Sequence, residues 1–275
     1  MIGVFDSGFG GLTVLKEFLD VLPEYDYAYL GDNARAPYGG KSQKEIYRYT
    51  CEGIKFLFDK ECDLVIIACN TASAKALRKI QQKYLPKHYP DKKVLGVIVP
   101  TAEDVGEKGF KRIGIIGTES TVRSKTYVRE LRKVDERIKI FQKACPRLAP
   151  LIEKDGMRSL EMEKAIKSYL EPLKNKKIDA LVLGCTHYPI LLEEIRNVMG
   201  DGIEIINPPS IIADKLKNYL ERHKEIESKL SKNKKRIFYT TGDIKKFSEL
   251  GGKFLGREVK KVKKTVISSV CERSR

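Results

Sequence analysis

The sequence contains no apolar run approaching the roughly 20 residues needed to span a bilayer, so no membrane association is expected. Its opening residues, Met1-Ile2-Gly3-Val4-Phe5-Asp6-Ser7, lack the charged region, apolar region and small-residue cleavage site of a signal peptide. A cytoplasmic location is the corresponding expectation. Cysteine pairs are missing too: the six cysteines, at 51, 62, 69, 145, 185 and 271, form no Cys-x-x-Cys and no zinc knuckle. In a reducing compartment they stay thiols, each serving packing or chemistry. The glycine-rich Gly8-Phe9-Gly10-Gly11 is followed by no Gly-Lys-Ser/Thr, which excludes a P-loop.

Charge of one sign is in excess, with 53 Lys and Arg against 37 Asp and Glu and a net charge of +16. Such a field permits a polyanionic partner. The basic residues are nevertheless interspersed with acids along the whole chain. The densest runs, Lys232 with Lys234, Lys235 and Arg236, then Lys260, Lys261, Lys263 and Lys264, read as solvated surface.

With 275 residues, 41% of them hydrophobic, the chain is long enough for one large or two modest α/β domains. Short continuous apolar runs alternate with helical periodicity, the pattern of a parallel sheet covered on both faces. The expected strands are Ile2–Phe5, Tyr25–Leu30, Leu64–Ala68, Val94–Val99, Ile113–Ile116, Ile138–Phe141, Ala180–Leu183, Ile203–Ile206 and Ile237–Thr240. Ser42-Gln43-Lys44-Glu45 has the form of a capping box before a helix burying Ile46, Tyr49, Gly53, Ile54 and Leu57. Ser210 is placed to cap a helix that buries Ile212, Leu216, Tyr219 and Leu220.

An internal repeat organises these elements. Ile2-Gly3-Val4-Phe5-Asp6-Ser7 matches Ile113-Gly114-Ile115-Ile116-Gly117-Thr118 at an offset of 111, and Asp63 to Thr71 matches Asp179 to His187 at an offset of 116. Any two parallel strands look alike, being Val/Ile/Leu runs. Agreement of the two offsets, with Cys69 and Cys185 at the same place in the second pair, favours a duplication. The expected division is 1–97 with 208–275 as one domain and 98–207 as the other.

Both cysteines follow the end of an apolar strand, where open α/β sheets bind ligands. Cys69 precedes a helical segment carrying Ala74, Ala76, Leu77 and Ile80, whose N-terminal amides favour a thiolate or a bound carboxylate. Cys185 is followed by Thr186, His187, Tyr188 and Pro189, the proline suiting a helix start. One thiol from each half suits inversion of a stereocentre, in which a proton leaves one face of a carbon as another arrives at the opposite face. Such a site must also stabilise a carbanionic transition state. Ser7, Asn70, Thr71 and Thr186 supply donors for this, and Asp6 is placed to take up a proton or meet an ammonium group. Cys185 and His187 alone make a poor zinc site, so no metal is expected. Cys51, Cys62, Cys145 and Cys271 are assigned to packing or surface.

Several of these segments together resemble one family. Asp6-Ser7-Gly8-Phe9-Gly10-Gly11-Leu12, Gly31-Asp32-Asn33-Ala34-Arg35-Ala36-Pro37-Tyr38-Gly39, Ala68-Cys69-Asn70-Thr71-Ala72-Ser73, Cys145-Pro146-Arg147-Leu148-Ala149-Pro150-Leu151-Ile152-Glu153, Gly184-Cys185-Thr186-His187-Tyr188-Pro189 and Thr241-Gly242-Asp243 resemble the glutamate racemases. The resemblance implies two pseudo-symmetric α/β domains with the active site in the cleft between them, commonly assembled as a homodimer. It implies cofactor-free, two-base interconversion of L- and D-glutamate, supplying D-glutamate for peptidoglycan. Cys69 and Cys185 would be the acid/base pair, assisted by Asp6, Glu153 and His187. Asp6, Ser7, Tyr38, Gly39, Asn70, Thr71, Thr118, Thr186 and His187 would touch the substrate. Thr101 departs from the pattern, standing where a small residue, often glycine, is expected. Aspartate, one methylene shorter, is the competing substrate. Some members of the family it resembles inhibit DNA gyrase, and binding of nucleic acid or gyrase is permitted by the charge without being strongly supported by it.

Overall fold

The computed structural model describes residues 1–155 and 159–267. Cys271 lies outside them. Two parallel sheets carry the fold. The first contains β1 (Ile2–Asp6), β2 (Tyr27–Gly31), β3 (Leu64–Ile67) and β4 (Lys93–Gly96); the second contains β5 (Arg112–Gly117), β6 (Lys139–Ala144), β7 (Ala180–Gly184) and β8 (Glu204–Ile206). The chain then returns to the first sheet with β9 (Arg236–Thr240) and β10 (Val262–Lys264).

The strand orders are β10-β9-β2-β1-β3-β4 and β6-β5-β7-β8, so the run β2-β1-β3-β4 of the first sheet repeats the whole of the second. Register repeats as well: Ile2 pairs with Leu64 as Ile113 pairs with Ala180. Every residue of β1, β2, β3 and β7 is buried, as the continuous apolar runs demand of strands covered by helices on both faces. Edge strands β6 and β10 are only partly buried, and Lys263 and Lys264 face solvent on β10, which protects that edge from further pairing.

All nine expected strands are present, with shifted ends, and β10 is an addition. The largest correction concerns Val94–Val99. The strand stops at Gly96, and Ile98–Glu107 is a helix that takes in Pro100 in its first turn, where a proline sacrifices no intrahelical hydrogen bond. Thr101 fits inside that turn, fully buried, donating its hydroxyl to Val97 O at 2.7 Å. The capping box at Ser42 forms with both reciprocal bonds before the helix Gln43–Asp59. Ser210 is not a cap. The helix Pro208–Arg222 starts three residues earlier, with Asn207 at the cap position, because Pro208 and Pro209 pre-set the helical backbone and need no amide partner.

Among the described residues no helix is long and apolar enough to cross a membrane.

Candidate active site

Equal register brings Cys69 and Cys185 to equivalent places, each five residues beyond the first paired residue of its strand, Leu64 in β3 and Ala180 in β7. Both thiols are buried, at 5% and 7% exposure. Their partners differ. Cys69 caps the short helix Asn70–Lys75, its sulfur accepting the Ala72 N–H at 3.5 Å and lying 3.4 Å from Ser7 Oγ. Helix-terminal amides alone would favour the thiolate, but burial and the neighbouring Asp6 carboxylate outweigh them and push the Cys69 thiol up to about 12.

Cys185 faces an imidazole, with His187 Nδ1 at 3.9 Å from its sulfur. The other ring nitrogen of His187 lies 2.9 Å from Glu153 Oε1, on the helix Leu148–Asp155. Burial alone would lower the imidazole; its bonds to Cys185 and Glu153 override that and raise it to about 10. The result is a cation at neutral pH beside one thiol and, among the described residues, none beside the other.

Bonds between the two sheets' loops close the space around the thiols. Asp6, at the end of β1 and fully buried, accepts the Gly8 N–H at 2.9 Å and the Thr186 hydroxyl at 3.3 Å. Burial raises its carboxyl above the usual range. Thr71 and Thr118 hydroxyls meet at 2.8 Å, with Thr121 joining both, and Tyr127 donates to Asn70 Oδ1 at 2.7 Å. Gly10 and Gly39 permit this approach. A Cβ on Gly10 would sit 2.3 Å from Thr186 Oγ1, and one on Gly39 2.9 Å from Thr118 Cβ.

The loop carrying Tyr38 and Gly39 is anchored by Asp32. Fully buried, Asp32 accepts from the hydroxyls of Tyr38 and Thr241 and pairs with Arg35, which also reaches Glu52. Tyr38 thus brings its hydroxyl to Asp32, and Gly39 brings backbone to Thr118. A cleft of about 270 Å³ opens beside these groups, lined by Ser7, Asn33, Pro37, Glu153, His187 and Lys246 among others.

Residues 13–216 match the Asp/Glu/Hydantoin racemase family. Glutamate racemase 2 of Caldanaerobacter subterraneus subsp. tengcongensis is 39% identical over 262 residues, covering 95% of each chain. The structure of a Francisella tularensis glutamate racemase with D-glutamate superposes with a TM-score of 0.88 at 34% identity, covering 98% of each chain. A Bacillus anthracis glutamate racemase superposes equally well, with a TM-score of 0.88 at 34% identity and 97% of each chain covered. The chain belongs to the Asp/Glu/Hydantoin racemase family.

In this racemase the sequence-derived residues fall into three bonded groups, of which Ser7, Glu153 and His187 line the cleft. Asp6, Ser7 and Cys69 form one, Glu153, Cys185, Thr186 and His187 a second, and Asn70, Thr71 and Thr118 with Gly39 a third. Thr13, Thr121 and Tyr127 belong with them but were not foreseen; Thr13 donates to both Gly10 O and Thr186 O. Their signal in the sequence is slight, since each sits on a helix whose partner loop is fixed only by folding. Cys51 and Cys62 pack in the core of the first sheet, and Cys145 is buried beneath Tyr188, whose hydroxyl bonds its carbonyl at 3.0 Å. Two larger cavities lie elsewhere. One runs between the helices Leu160–Lys174 and Leu192–Met199, the other beside Val99, Glu103 and Tyr219, and neither contains a predicted site residue.

Proposed function

We propose that this racemase interconverts L- and D-glutamate without a cofactor, Cys69 and Cys185 acting on opposite faces of the substrate's Cα. The observation that carries the reading is the repeat of register between β1–β3 and β5–β7, which gives two buried thiols related positions in two related halves.

The different surroundings of the thiols set their starting states. Cys69, pushed up to about 12, holds its proton, while protonated His187 stands 3.9 Å from the Cys185 sulfur. Cys185 as thiolate then takes the α-proton from one face, and the Cys69 thiol gives its proton to the other. The product leaves the enzyme with a Cys69 thiolate and a Cys185 thiol, the form that catalyses the reverse reaction. A thiolate of such high basicity suits removal of a weakly acidic α-proton. Glu153 holds His187 in orientation, and Asp6 opposes early ionisation of Cys69.

Negative charge developing at Cα and on the substrate carboxylate needs donors already in place. Ser7, Asn70, Thr71, Thr118 and Thr186 supply them, with the backbone of Tyr38 and Gly39. D-glutamate for peptidoglycan is the product's use, and the cytoplasm the place. The proposal includes the division into 1–97 with 208–275 and 98–207, supported by the return of β9 and β10 to the first sheet. It also includes a homodimer, which light scattering would test.

Racemisation of L-glutamate and of L-aspartate, followed by optical rotation with no added pyridoxal phosphate or metal, tests the assignment. Inversion of glutamate is the expected result. Inversion of aspartate alone would change the substrate, and a folded protein inert towards both would overturn the function.

A further inference from the structure

A phenol that takes no part in proton transfer connects the surroundings of the two thiols. Tyr127, on the helix Thr126–Val134, is 1% exposed and donates its hydroxyl to Asn70 Oδ1 at 2.7 Å. Its ring lies against the residue before Cys185, since a Cβ on Gly184 would come within 3.2 Å of Tyr127 Cε2. The hydroxyl therefore grips the residue after Cys69 while the ring packs on the residue before Cys185.

We infer that Tyr127 is a positioning residue for substrate binding: its hydroxyl fixes the Asn70 carboxamide so that the Nδ2 hydrogens, and not the carbonyl oxygen, face the anionic substrate. This rests on the proposed role of Asn70 as a substrate contact.

An amide has one acceptor end and one donor end. With Oδ1 occupied by the phenol, the donor end is left for a ligand. The reversed amide would turn a carbonyl oxygen toward a carboxylate and repel it. Burial raises the phenol well above its usual range, only partly offset by the Thr101 side chain, so Tyr127 keeps the proton it donates.

Tyr127→Phe removes the hydroxyl and keeps the ring. It is expected to raise KM for glutamate about tenfold, the size of one well-placed hydrogen bond, with kcat changed less than about threefold. In an Asn70→Ala background the same change is expected to add nothing, because the group it positions is gone. The rise in Tm on adding D-glutamate, compared within each variant, reads binding independently of intrinsic stability and should shrink for Tyr127→Phe. An unchanged KM and ligand-induced Tm shift, or an equal loss in the Asn70→Ala background, would overturn the inference. If the wild type fails to racemise glutamate, the proposed function fails and this inference with it; an active wild type with an unaffected Tyr127→Phe variant removes the inference alone.

Discussion

His187 lies between Cys185 and Glu153, with one ring nitrogen 3.9 Å from the sulfur and the other 2.9 Å from the carboxylate. Among the described residues Cys69 has no comparable cation. This difference makes two thiols of related position chemically distinct, and it determines how activity responds to pH.

Activity is expected to fall as pH rises through about 10, where the imidazolium beside Cys185 is lost. In Glu153→Gln the fall should move to lower pH, since one of the groups raising the imidazole is gone. In His187→Asn that alkaline limb should vanish, with kcat/KM lower by about 10²-fold. The pH profile of kcat/KM for the three proteins is the check.

Stability carries the same signature. The folded-state value of about 10 exceeds the ordinary 6.5, so the stabilisation from His187 is fully present below pH 6.5 and is lost as pH rises through about 10. The stability difference between wild type and His187→Asn, measured by urea unfolding, should shrink from neutral pH towards pH 10.

Gly10→Ala should disable the enzyme. The added methyl would meet Thr186 Oγ1 at 2.3 Å and His187 Nδ1 at 2.5 Å, and relief requires moving the loop that carries Cys185. A loss of more than about 10²-fold in kcat/KM is expected, since misplacement by about 1 Å has that effect. The accompanying loss of stability should be about 1–3 kcal/mol.

Arg35→Ala should be costly for the fold. Arg35 pairs with Asp32 and Glu52, whose side chains are 0% and 2% exposed, and its removal leaves Asp32 only the Tyr38 and Thr241 hydroxyls and Glu52 only Arg48, at 3.9 Å, among the partners described. A destabilisation of about 3–5 kcal/mol by denaturant unfolding is expected.

The sequence made the sheets legible because buried parallel strands require continuous apolar runs, and the repeat at offsets 111 and 116 corresponds to the shared register of Ile2 with Leu64 and Ile113 with Ala180. The end of β4 was hidden because Val97, Ile98 and Val99 are apolar in a strand and in a helix alike; only Pro100 hinted at a first turn. Cys69 and Cys185 stood out through the repeat, whereas Glu153 came from resemblance alone, since nothing local to Glu153 reveals that His187 will lie beside it. Tyr127 and Thr13 were invisible for the same reason. Their roles depend on where folding brings Asn70 and Thr186.

The most direct test of the two-thiol account is the fate of deuterium when L-glutamate is racemised in D2O. Early in the reaction, D-glutamate should carry solvent deuterium at Cα while recovered L-glutamate remains unlabelled, because the proton is removed by one thiol and replaced by another. Product that retains its original hydrogen, or deuterium entering both enantiomers at equal rates from the start, would point to a single base and contradict the account.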